Sequence, residues 1–226
     1  MAEAPIVTID GPSGSGKGTI SRSVAGYASW HRLDSGALYR LAALAGRERG
    51  LAPDDVKRHA EVALSMDVEF RDEPDGERIL LGGRDVGALL RTEAVGADAS
   101  RVAAWPQVRQ ALLDRQRAFA RPPGLVADGR DMGTVVFPGA ELKIFLTASP
   151  EERTLRRYKQ LKDKGSDVSL PALSREIAER DARDATRVVA PLVPAPGAHT
   201  IDSTGLPIEE VVGRVLALGR ERSLWA

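Results

Sequence analysis

Short apolar runs, each closed by glycine, proline or small polar residues, punctuate the chain. Ile6-Val7-Thr8-Ile9-Asp10 is a β-branched run that leads into a glycine-rich turn. Residues 30–33, Leu125-Val126-Ala127, Leu142-Lys143-Ile144-Phe145-Leu146-Thr147 and His199-Thr200-Ile201-Asp202-Ser203 have the same character. Runs of this length with these flanks predict buried strands. Between them the period changes to that of a helix. Ile20, Val24 and Tyr27 recur at helical spacing. A helix is expected from about Ala37 into Arg47-Glu48-Arg49, ended by Gly50, with Asp34-Ser35-Gly36 as its cap. Another should run from Gln107 to Ala120, with Val108, Leu112 and Phe119 on its apolar side, until Pro122-Pro123-Gly124 stops it. Ser149-Pro150-Glu151-Glu152 reads as a helix start, with proline in the first turn and acids near the positive end. A closing helix, Ile208 to Leu218, turns Val211, Val212, Val215 and Leu218 to the core. Strands alternating with helices predict an α/β fold, with five parallel core strands near 6–10, 30–33, 125–128, 143–147 and 199–203 and helices on both faces.

Residues 51–98 break this rhythm. Pro53-Asp54-Asp55 opens a short helix through about Leu64, and Val68-Glu69-Phe70 alternates like a strand. Glu73-Pro74-Asp75-Gly76 reads as a turn, and Ile79-Leu80-Leu81 and Asp85-Val86 as further short strands. A small antiparallel meander of this kind reads as an insertion in the core. The stretch from Arg91-Thr92-Glu93 through Val95 to Ser100 carries no clear period, and no element is assigned to it.

The first strand carries the chemistry. After Asp10 come Gly11, Pro12, Ser13, Gly14, Ser15, Gly16, Lys17, Gly18 and Thr19. Gly-x4-Gly-Lys between a strand and a helix is the context of a phosphate-binding P-loop. The glycines let successive N–H groups turn toward one anion, and the helix adds its positive end. Lys17 offers a point charge to the β- and γ-phosphates. Gly18 stands where a metal-binding hydroxyl is usual, and Thr19 follows one place later. A magnesium ion would then be held more by phosphates and water than by this loop. Asp128, at the end of another apolar strand, has the position of the second P-loop signature, an acid that orients the metal or its waters.

Composition narrows the classes. The 226 residues suffice for one large α/β domain with an insertion. With 32 basic and 32 acidic residues, no general nucleic-acid surface is expected. There is no apolar run of about 18 residues for a membrane span, and Met1-Ala2-Glu3-Ala4-Pro5 leaves no room for an export signal. Zero cysteines exclude disulfides and agree with a cytoplasmic location. His31, His59 and His199 are scattered and read as surface or edge residues.

Residues 153–187 hold seven arginines, at 153, 156, 157, 175, 180, 183 and 187, interleaved with acids. Much of this is expected to be a solvated helical pair joined by the polar segment 162–167. Some of these arginines would close over transferring phosphates, stabilising charge and excluding water. No catalytic base is evident. None is needed if the acceptor is a phosphate monoester, which is largely ionised at neutral pH.

Several stretches together resemble the bacterial type 1 cytidylate (CMP) kinases among the nucleoside monophosphate kinases. They are Ile9-Asp10-Gly11-Pro12-Ser13-Gly14 with Gly16-Lys17-Gly18-Thr19, Leu33-Asp34-Ser35-Gly36-Ala37 with Tyr39-Arg40, and the specific run from Asp128 through Gly129-Arg130-Asp131-Met132-Gly133-Thr134 to Pro138. Glu179-Arg180-Asp181 with Arg183-Asp184, Ala190-Pro191-Leu192 and Asp202-Ser203-Thr204 complete the set. The resemblance implies a P-loop NTPase three-layer fold with an NMP-binding insertion at 62–94 and a helical lid at 150–187, the core being 1–61 and 95–226. It implies transfer of the ATP γ-phosphoryl to CMP or dCMP with Mg2+, by a cytoplasmic monomer without nucleic-acid or membrane partners. By position, Ser35, Ser100, Arg109 and Asp131 would surround cytosine, and Arg40 and Arg130 would hold the CMP phosphate. Arg180 and Asp184 would meet the pentose, and Arg187 the acceptor or moving phosphate. Lys17, Arg130, Arg183 and Arg187 form the expected catalytic set. Residues Gly11 to Thr19 with Arg156 and Arg157 form the ATP set, with Asp128 touching the metal indirectly. The cytosine amine would donate to a carboxylate such as Asp131, which should disfavour the carbonyl of uracil. Alternatives are a kinase for UMP, dTMP or a sugar acid, or a nucleotide-binding switch with no acceptor.

Overall fold

A computed structural model describes residues 4–73, 76–163, 165 and 167–225. The expected turn at Pro74-Asp75 and parts of the 162–167 connection, Lys164 and Ser166, lie outside the described residues. The chain forms two compact units, one of residues up to Asp34 together with Gln116 onward, the other Ser35–Arg115.

In the first unit β1 (Ile6–Asp10) runs into the P-loop, and α1 (Lys17–Ala28) returns to β2 (His31–Asp34). The remaining strands of its sheet belong to the later part of the chain. Among the described residues these five strands form one parallel sheet, and the strand centres match those expected from the apolar runs. Val7 and Ile9 point to one face, where they join Ile20, Val24, Val126, Ile144, Leu146 and Val215 in the buried core. Thr8 and Asp10, one residue out of phase, point to the other face and are also buried. Tyr27, expected with the apolar positions of α1, is half-exposed and stacks under Arg220. Its phenol accepts a hydrogen bond from the same arginine, which a core position would deny it.

The second unit starts with α2, which begins at Ser35 rather than about Ala37 and ends at Glu48. α3 (Val56–Ser65) follows, then the antiparallel strands β3 (Val68–Glu73), β4 (Gly76–Leu81) and the two-residue β5 (Arg84–Asp85). Short α4 (Gly87–Leu90) precedes α5 (Glu93–Val102), a helix that periodicity does not announce. Thr92 caps α5 by accepting the N–H of Val95, and Val95, Ala99 and Val102 are buried. α6 (Pro106–Arg117) ends three residues before the expected Ala120. His59 departs from the expected surface position. It is buried, edge-on to Trp105, with Nδ1 within 2.8 Å of the Asp55 carbonyl.

Back in the first unit, β6 (Leu125–Gly129) is buried throughout and pairs with β1 and β2. A π-helical turn, Met132–Val136, follows it at once. β7 (Leu142–Thr147) leads to α7 (Pro150–Lys162), capped by Ser149 as its sequence suggests. α8 (Leu170–Thr186) packs back on α7, and β8 (His199–Asp202) and α9 (Ile208–Glu221) close the unit. Val211 and Val215 are buried in the core as expected, with Val212 and Leu218 partly buried against it.

Candidate active site

The P-loop is shaped by where its carbonyls go. Lys17 Nζ donates to the Pro12 carbonyl at 3.0 Å. Arg153, buried on α7, donates to the Ser13 carbonyl at 3.2 Å and to Ala148 at 3.0 Å, and pairs with Asp181 of α8 at 2.7 Å. Arg156 donates to the Ser15 carbonyl at 3.3 Å and to the Ser203 carbonyl at 2.6 Å, and pairs with Glu152. Ser203 Oγ also donates to the Ser15 carbonyl, at 3.1 Å. A trans peptide points its N–H opposite to its C=O. Holding the Ser13 and Ser15 carbonyls against α7 and Ser203 therefore directs the Gly14 and Gly16 N–H groups away from those partners. Gly16 itself sits at φ 93°, a left-handed conformation that lets α1 start without a side-chain cap.

Arg156, expected on ATP, pairs with Glu152 and donates to Ser15 and Ser203. Arg157 hydrogen-bonds Gln160 on its own helix. Arg153, Ser203 and Asp10, outside the expected site set, also act on backbone groups here. The signal for Asp10 is in the strand pattern, where a carboxylate ends a mostly buried run.

Lys17 is half-buried in a field of mixed sign. Burial, then the charge of Arg130, pushes its ammonium down to about 7, with Arg180 acting in the same sense against Asp128 and Asp34. Arg130 donates through Nε to Asp184 at 2.8 Å and through Nη1 to its own Gly129 carbonyl at 3.2 Å. Burial alone would raise the Asp184 carboxyl, but Arg130, Arg187 and Arg180 hold it below its usual range. Thus Lys17, Arg130, Arg180, Asp184 and Arg187 fall in one electrostatic neighbourhood. Arg183 and Arg175 lie on the exposed side of α8.

Asp128 stands opposite Asp34 in the β2–β6 register. Its carboxylate accepts from Ser21 Oγ and pairs with Arg32 at 3.2 Å. Burial, then the charge of Asp34, pushes its carboxyl up despite Arg32, Ser21 and Lys17. Asp131 is buried at the head of the π-helical turn.

The second unit contains the other expected acceptor residues. Ser35 and Ser100 are buried. Arg109, also buried, donates to the Ala103 carbonyl at 3.1 Å and lies 5.6 Å from the Tyr39 ring centroid. Arg40 donates to the Leu90 carbonyl and runs beside Gly96, where a Cβ would stand 3.5 Å from the guanidinium.

A family model described as cytidylate kinase matches residues 7–221. The chain belongs to the cytidylate kinase family. It is 58% identical to the cytidylate kinase of Bordetella bronchiseptica over 96% of both chains. It is 56% identical to that of Marinomonas sp. over 95% of both. Among solved structures, a gluconokinase from Sinorhizobium meliloti 1021 covers 99% of the chain, and 96% of its own, at TM-score 0.50 and 16% identity, a likeness of fold. The cytidylate kinase match includes the P-loop, the Asp128–Pro138 run and the arginines of α7 and α8. Among the described residues no helix is long and apolar enough to cross a membrane.

Proposed function

We propose that the chain transfers the γ-phosphoryl group of ATP to CMP or dCMP, giving CDP or dCDP. The observation that carries the chemistry is the half-buried Lys17 at the end of the P-loop, whose charge is opposed by loss of solvent and by neighbouring Arg130 and Arg180. Such a group gains most from an arriving polyphosphate, which restores its proton and neutralises the cluster. The P-loop N–H groups would hold the donor phosphates, with Lys17 at the β- and γ-phosphates. Arg130 and Arg187 would meet the acceptor phosphate and the charge on the moving group. Arg180 and Asp184 serve the pentose in this reading. Arg183 would enter the phosphate set only through movement of α8, because its place is on the exposed side. Arg157 would meet ATP, and Arg156 acts on ATP through the loop it holds.

On the acceptor side, Ser35, Ser100, Arg109 and Asp131 would serve the base, and Arg40 the acceptor phosphate. Residues 62–94, within Ser35–Arg115, would serve as the monophosphate-binding insertion, and 150–187 as the lid.

Mg2+ fits this reading. Asp128 and Asp34 are acids whose mutual repulsion, expressed in the raised Asp128 carboxyl, a divalent ion would relieve. Asp128 already accepts from Ser21 and Arg32, so phosphate oxygens and water would supply most of the ion's ligands. When bound, the ion neutralises charge on the donor phosphates. As part of the same reading the enzyme is a cytoplasmic monomer, its mass in solution measurable by light scattering.

A coupled assay over CMP, dCMP, UMP, dTMP and gluconate, with ATP and Mg2+, tests the function. CDP or dCDP formation is the expected result. Phosphorylation of gluconate alone, or ATP binding without any acceptor turnover, overturns it.

A further inference from the structure

β1 delivers Gly11 to the P-loop, yet the side chain just before that loop serves a different segment. Asp10 is 3% exposed, and its two carboxylate oxygens each accept a backbone hydrogen bond. One comes from the N–H of Met132 and the other from the N–H of Gly133, both at 2.8 Å. In the sheet the Cα of Asp10 is paired with Gly129. The carboxylate therefore reaches past its register partner and fastens the chain on the far side of Gly129-Arg130-Asp131. Gly133 is pressed against β1 closely enough that a Cβ there would stand 2.9 Å from Thr8 Oγ1.

The segment closed in this way is an arch. Its near foot is β6, and its far foot is the π-helical turn, whose Val135 and Val136 N–H groups both donate to the Asp131 carbonyl. Two side chains stand on the arch, Arg130 and Asp131. A π-helical turn is rare and occurs mostly as a single turn, frequently at functional sites. Both amides next to the arch are supplied from outside by one group of β1. Burial pushes the Asp10 carboxyl up to about 7 against the two N–H donors, which favour the ionised form. The charges that act on it, Asp131 and Arg130, belong to the arch itself.

We propose that Asp10 is a positioning residue for acceptor selectivity: by clamping the Met132 and Gly133 amides it fixes the arch that aims Asp131 at the base and Arg130 at the acceptor phosphate. This rests on the CMP kinase reading above and adds to it a residue that touches neither substrate. The clamp joins the donor loop and the acceptor arch through a single residue, since Asp10 and Gly11 are adjacent.

The test is the ratio of kcat/KM for CMP to that for UMP in the full-length chain, with Asp10→Asn and Asp10→Glu. Asparagine keeps the shape but turns an NH2 toward one of the two donors. Glutamate keeps both acceptors but moves them by one methylene. Each should lower the CMP-to-UMP ratio by about tenfold, in the range expected for a misdirected base contact, while the KM for ATP stays within about twofold of wild type. A merely structural role would reduce the active fraction and lower both acceptors together, leaving the ratio where it was. Circular dichroism and thermal melting identify which variants are folded. A wild-type ratio in any folded Asp10 variant, alongside a reduced ratio in Asp131→Ala, overturns the Asp10 proposal alone. No preference for CMP in the wild-type enzyme overturns the CMP reading instead.

Discussion

Two loops leave the carboxyl ends of the adjacent strands β1 and β6, and they are held in opposite ways. In the P-loop the backbone carbonyls of Ser13 and Ser15 are drawn back by the cations Arg153 and Arg156. The loop is thereby left to present N–H groups, which suit a polyanion of any attached base. In the arch after β6 the backbone N–H groups of Met132 and Gly133 are drawn back by the anion Asp10. What the arch presents is side chains, Arg130 and Asp131, which can distinguish one acceptor from another. In the proposed function, main chain would recognise what all donors share and side chains what one acceptor has. Each loop therefore needs its own support, of the charge opposite to the groups it holds back.

The contrast can be broken most severely at Lys17. Lys17→Ala should lower kcat by roughly 100-fold or more, the scale of a lost transition-state contact, with the melting temperature near wild type. Near-normal turnover would remove the P-loop assignment. On the arch, Asp131→Ala should cut the CMP-to-UMP preference by about 30-fold, within the range for a base-reading contact, with little change in the KM for ATP; steady-state kinetics on both acceptors measures this. Behind the donor loop, Arg156→Ala should raise the KM for ATP by about tenfold, near the loss of one or two charge-assisted hydrogen bonds. The CMP-to-UMP ratio should hold in that variant, and a collapse of the ratio would show that the two supports are not separate.

The smallest effect concerns protons. Lys17 titrates at about 7 in the free protein, depressed first by burial. Bound phosphate favours its charged form, so binding above that pH takes up a proton and weakens as pH rises. Between pH 7 and pH 8 the affinity for a non-hydrolysable ATP analogue should fall by about fivefold from this group. Calorimetry at pH 8 in two buffers of different ionisation enthalpy should register the uptake, and Lys17→Met should abolish it.

How much of this could be read from residues alone follows from the range of the forces involved. The five strands are local apolar runs bounded by breakers, and they fall where the pattern puts them. α5 is weakly patterned, with Gly96, Ala97, Asp98 and Ala99 in succession. Its cap at Thr92 and its packing on α2 decide it. The π-helical turn depends on a carboxylate more than 120 positions away, a contact that no local period encodes. The arginines show the same limit. Composition makes the seven from Arg153 to Arg187 look alike, whereas Arg153 is buried against the P-loop and Arg175 faces solvent. Arg130, Asp131 and Asp184 were legible because the Asp128–Pro138 run and the Arg180–Asp184 run are specific motifs. Arg153 and Asp10 were not, because each acts on the site through backbone atoms distant in sequence, Arg153 on the Ser13 carbonyl beside its pair with Asp181 and Asp10 on the Met132 and Gly133 amides.

The central claim is that the protein is an ATP-dependent kinase whose acceptor is a cytosine nucleotide. The most direct measurement is wild-type kcat/KM with saturating ATP for CMP and for UMP in the same coupled assay. The account predicts CDP formation with a preference for CMP of roughly 30-fold or more. Equal turnover of the two acceptors, or none with CMP, would contradict it.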